Sequence, residues 1–69
     1  MAAEPVMVIE FDEVMPFADA KRAFEGAYVE SLLEITAGHV SEAATLAGKE
    51  RKDFYDLMRR ADVDPADFR

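Results

Sequence analysis

The chain has no cysteine, which excludes a disulfide framework and a thiolate metal site, the usual supports of very small secreted domains. It has one histidine, His39, too few for a histidine-based metal centre. No apolar run approaches the roughly 18 to 20 residues of a membrane span, and the N-terminus lacks the basic start and apolar stretch of a signal peptide. These absences point to a soluble protein of a reducing compartment, the cytoplasm, with no membrane partner. No serine, histidine and acid arrangement, phosphate-cradling glycine loop or metal-ligand spacing is present. Neither catalysis, a metal nor a cofactor is expected, and a helical domain this small offers few enclosed pockets.

Positive charge is also scarce. Eight lysines and arginines face 15 acids, a net charge of −7. Such a balance weighs against nucleic acid, whose binding rests on cations that displace condensed counterions. The distribution matters more than the sum. Residues 1–48 hold nine acids against Lys21 and Arg22, whereas residues 49–60 hold Lys49, Arg51, Lys52, Arg59 and Arg60 against Glu50, Asp53 and Asp56. Residues 61–69 turn acidic again, with Asp62, Asp64 and Asp67 against Arg69. One short segment is the basic island of an acidic molecule.

Sixty-nine residues make one domain, and a chain this short buries only ~60% of its unfolded surface. A lone core is marginal, so self-association is expected. Residues 1–16 read as a leader, linker or arm bracketed by Pro5 and Pro16; within it, residues 6–11, with β-branched Val6, Val8 and Ile9, read as either a short strand or an extended arm. From Pro16 the period changes. Phe17, Ala20, Phe24, Tyr28, Leu32 and Ile35 recur every three or four residues, as on one face of an α-helix. Ala23, Ala27, Val29 and Leu33 form a second stripe beside the first. The combined surface is wider than a single-sided helix requires, which leaves part of it for another subunit. Gly26 allows a break into two helices, and Gly38 is the expected C-terminal cap of residues 17–37.

A helix of barely two turns follows, Val40 to Ala47, with Val40, Ala43, Ala44 and Ala47 inward and His39 or Ser41 able to cap it. Gly48 supplies the turn. The next helix, from about Glu50 to Ala61, places Phe54, Leu57, Met58 and Ala61 inward, with Lys52 and Arg59 outward beside Tyr55 and Asp56. In the tail, 61–69, Asp64-Pro65 punctuates the chain and Phe68 can fold back on the core. The fold expected is therefore all-α, with a helix-turn-helix over residues 38–60, the geometry that sets a second, cation-bearing helix into the DNA major groove.

The residue string is more specific than the spacing. Gly38-x-Val40-x-x-Ala43-Ala44-x-x-x-Gly48, with Arg51 downstream and the run Phe54-Tyr55-x-Leu57-Met58-Arg59-Arg60, resembles the Fis-type helix-turn-helix that ends many sigma-54-dependent bacterial transcription activators. The resemblance spans about residues 17–63. It implies a homodimer paired through the long helical region, with Phe17, Phe24, Tyr28, Leu32 and Ile35 at the interface, displaying two recognition helices to double-stranded DNA. It also implies that Arg51, Lys52, Tyr55, Arg59 and Arg60 lie on the recognition helix, with Ser41 and His39 near phosphate. An ATPase module upstream, and RNA polymerase carrying sigma-54, would then be partners only through a full-length protein. Lys49 and Glu50 stand where the family usually has an aliphatic and a small capping residue. Together with Asp53 and Asp56 they keep open a second reading, a Fis-like dimerisation or protein-interaction module with weak or lost DNA binding. The acids could instead pair locally with Arg60 or Lys52 at i+4 spacing or its reverse.

Overall fold

The computed structural model describes residue 10 and residues 13–69. The strand or arm expected at 6–11 lies, save for Glu10, outside the described residues. Among the described residues there is no strand: the order is α1 (Phe17–Ile35), α2 (Val40–Ala47), α3 (Arg51–Ala61) and a closing 3-10 turn (Pro65–Phe68). The domain is all-α, as expected.

Helix α1 begins where Pro16, in an extended conformation, offers its carbonyl to the amides of Asp19 and Ala20, both at 3.0 Å. The helix runs unbroken through Gly26, and a Cβ there would meet nothing within 4 Å. One glycine in a helix interior costs only ~1 kcal/mol relative to alanine. The helix-forming neighbours on both sides absorb that cost, so the break allowed at Gly26 does not occur.

All three helices end in the same way. An amide two or three residues past the helix end reaches back to the carbonyl five residues earlier: Gly38 to Leu33 at 2.8 Å, Lys49 to Ala44 at 3.0 Å and Val63 to Met58 at 3.0 Å. This Schellman closure satisfies carbonyls that the helix leaves without partners, and it needs one left-handed residue. That residue is Ala37 (φ +54°), Gly48 (φ +69°) and Asp62 (φ +56°) in turn. The cap of α1 is therefore shifted from the expected position, since Ala37 takes the left-handed place and Gly38 follows it at φ +81°. Gly38 is small for a further reason. A Cβ there would stand 2.7 Å from both the Pro65 carbonyl oxygen and Arg69 Cγ, so its absence lets the 3-10 turn close onto the α1–α2 corner.

The core holds Val29, Leu32 and Leu33 from α1, Val40, Ala43 and Ala44 from α2, and Phe54, Leu57 and Met58 from α3. Tyr28, Ala47, Val63 and Phe68 pack against it. Alanines at 43 and 44 let α2 lie close to its neighbours. Thr36 is the one buried polar residue among those described; its hydroxyl donates to the Leu32 carbonyl at 2.9 Å, so that buried donor is met. The core engages only the C-terminal part of α1. Every residue from Phe17 to Tyr28 remains exposed or half-buried.

Candidate nucleic-acid interface

Helix α3 has a charged face because its apolar residues fall on one side. At 100° per residue, Lys52, Asp56 and Arg59 lie opposite Phe54, Leu57 and Met58. They line a shallow depression of about 590 Å³ with Glu50, Arg51 and Tyr55. Two exposed contacts tie α3 to the other helices. On the α2 side, Arg51 Nη1 donates to the Ser41 hydroxyl at 3.4 Å, joining the two halves of the helix-turn-helix. On the α1 side, Arg60 Nη2 donates to Glu25 Oε2 at 3.0 Å.

The structure thus brings Arg51, Lys52, Tyr55, Arg59 and Ser41 onto one continuous surface. Arg60 is turned to the border with α1. The acids of α3 do not pair as the i+4 spacing suggested, because Asp56 Oδ1 accepts from Arg59 Nη1 at 3.3 Å, three residues on. His39 occupies the N-cap of α2 but its side chain makes no capping bond, and Ser41 makes none either. The imidazole instead lies 3.7 Å from Glu42. Glu50 holds the N-cap of α3, also without a side-chain cap. The first amides of both helices thus take no bond from an N-cap side chain.

A second surface lies on α1. Phe17 is 82% exposed, and Phe24 and Ile35 are nearly half exposed; Phe24 stacks on half-buried Tyr28 with ring centroids 5.6 Å apart. Leu32, which the resemblance puts at an interface between subunits, is 5% exposed and belongs to the chain's own core. The sequence shows two apolar stripes but not which of them the other helices cover.

Fold and surface together define a small all-helical domain of helix-turn-helix type. Over 53 residues, 77% of the chain, it is 43% identical to the transcriptional regulatory protein GlrR of Escherichia coli K12, and equally to the transcriptional regulatory protein QseF of Escherichia coli O157:H7. The match covers 12% of each relative, so the chain spans a small part of their length. No protein-family model and no solved structure matches it. No helix among the described residues is long and apolar enough to cross a membrane, and no cluster of ligating side chains among them could hold a metal ion.

Proposed function

We propose that this chain is a Fis-type helix-turn-helix domain that binds double-stranded DNA sequence-specifically as a homodimer, within a cytoplasmic transcription regulator of the sigma-54-dependent kind. The observation that carries this reading is the outward stripe of Lys52 and Arg59, flanked by Arg51 and Tyr55, on the second helix of a helix-turn-helix. The similarity to two transcriptional regulatory proteins supports it independently. In this reading α3 enters the major groove, Lys52 and Arg59 reach base edges or phosphates, and Ser41 and His39 bring the start of α2 to the backbone. The exposed Phe17, Phe24 and Ile35 and the half-buried Tyr28 pair α1 with its copy. An ATPase module and RNA polymerase carrying sigma-54 act with it only through a longer protein.

The test is a binding titration with promoter-upstream duplexes at several salt concentrations. The expected result is tight binding that falls steeply with salt and is weakened by Arg59→Ala. No binding at ~50 mM salt with the dimer intact would sink the reading. Sedimentation tests the pairing separately: Phe17→Gln with Phe24→Gln should leave a folded monomer, and a wild-type monomer at all concentrations would remove the dimer.

One observation favours a second reading. Glu50 stands exposed at the N-cap of α3 and Asp53 in its first turn, and the chain carries a net charge of −7. Both features suit a dimeric protein-interaction module with weak or lost DNA affinity, and the same titration separates the two.

A further inference from the structure

Asp56 is an acid set among the cations of α3. It sits at the centre of the outward stripe of α3, one turn past Lys52 and one turn before Arg59, with its side chain 45% exposed. A structural ion pair has no need of that position, and a carboxylate pointed at phosphate would be repelled. We propose that Asp56 is a specificity-determining residue that accepts a hydrogen bond from a cytosine amino group while its neighbour Arg59 reads guanine. This rests on the DNA-binding reading above.

The chemistry selects the base. An ionised carboxylate accepts hydrogen bonds and donates none. In the major groove thymine presents the O4 acceptor and guanine the O6 and N7 acceptors, all of which repel it. Adenine offers an amino donor but sets its N7 acceptor beside it. Cytosine presents only the N4 amino group. Arginine has the opposite preference, with its fork matching guanine O6 and N7. The Asp56–Arg59 pair, 3.3 Å from oxygen to nitrogen, therefore displays an acceptor next to a donor fork. The complementary surface is a cytosine amino group beside a guanine edge, within one base pair or across neighbouring ones. Pairing with Asp56 also restrains the long Arg59 side chain, which is 79% exposed and otherwise free to sample many rotamers. On DNA lacking that cytosine the carboxylate meets acceptors, so Asp56 weakens binding there. An acidic recognition helix then sharpens discrimination where it would otherwise only oppose binding.

Selection from a random-sequence duplex library, with wild type, Asp56→Ala, Asp56→Asn and Arg59→Ala, tests this. Wild type should enrich a cytosine and a guanine at fixed positions of each half-site. Asp56→Ala should lose the cytosine preference, keep the guanine preference, and bind random duplex more tightly. The discrimination it loses should be about tenfold, within the range of a good base contact. Asp56→Asn should move the preference towards adenine, and Arg59→Ala should lose the guanine. Far-ultraviolet circular dichroism of each variant should match wild type, since Asp56 and Arg59 make no buried contact. An Asp56→Ala selection with the wild-type preference at every position overturns the inference and leaves the DNA reading standing. Wild-type protein that retains no duplex at ~50 mM salt overturns both.

Discussion

Arg60 donates through Nη2 to Glu25 Oε2 at 3.0 Å, joining the last turn of α3 to the middle of α1 across 35 positions of sequence. The Glu25 side chain is 21% exposed and that of Arg60 62%, so solvent screens the pair. Its loss in Arg60→Ala should cost no more than ~1 kcal/mol in chemical denaturation. On the proposed DNA-binding reading, its effect on affinity separates it from the adjacent arginine. Removing a phosphate contact lowers the slope of log K against log salt by ~0.9. Arg59→Ala should show a reduced slope or altered base preference, and Arg60→Ala neither. A salt slope that drops equally in both variants would show that Arg60 leaves Glu25 to meet the backbone.

Two glycines should respond to alanine with opposite signs. At Gly26 a Cβ meets open space inside a helix, so Gly26→Ala should stabilise by ~0.5–1 kcal/mol, a rise of about 4–8 °C in Tm per kcal/mol. Gly48 also has open space around it but stands at φ +69°. Gly48→Ala should therefore destabilise by roughly 1 kcal/mol through backbone strain alone. Thermal melts of the two variants at one protein concentration decide the matter.

Ala37 at φ +54° is a left-handed residue with a Cβ. The strain of ~1–2 kcal/mol is partly offset by the unfolded-state entropy that glycine adds, so Ala37→Gly should gain a few tenths to ~1 kcal/mol. Gly38→Ala should do the reverse and more, since its Cβ would press on the Pro65 carbonyl at 2.7 Å. An unchanged denaturation midpoint in both variants would mean that the α1–α2 corner relaxes freely.

Glu50 begins α3 without capping it. Glu50→Ser supplies a hydroxyl able to accept from an open amide and should stabilise by ~0.5–1 kcal/mol. It also removes a negative charge from the rim of the α3 depression, so on the proposed reading DNA binding should tighten, most visibly at low salt. Higher stability with no change in affinity would place Glu50 away from the phosphates.

The short helices were the most legible part of the chain. Val40, Ala43 and Ala44, and Phe54, Leu57 and Met58, all lie in the core as their spacing predicts, because a helix with one apolar face has one way to bury it. Helix α1 carries apolar residues on two sides, and periodicity defines stripes without saying what covers them. The core takes Leu32 from one stripe and Val29 and Leu33 from the other. The placement of Arg60 depends on where α1 crosses α3, which local spacing does not encode. Gly38 was expected as the cap of α1, a place Ala37 takes, and its role as a seat for Pro65 and Arg69 required the 3-10 turn to be in place. The charge island led directly to the face of α3, whereas the pairing of Asp56 with Arg59 in place of Arg60 is a rotamer choice invisible in the sequence.

The stretch 17–28 of α1 contributes no fully buried side chain to its own protomer, and a helix of that length is marginal in water by itself. With pairing as proposed, its hydrogen-bond ladder becomes a readout of mass action. Amide exchange there should be slow at high protein concentration and quicken on dilution, while the amides around Leu33 and Phe54 keep their protection. Assembly would then finish a helix that folding alone leaves frayed, and promoter occupancy would be set partly by how much of the protein the cell makes.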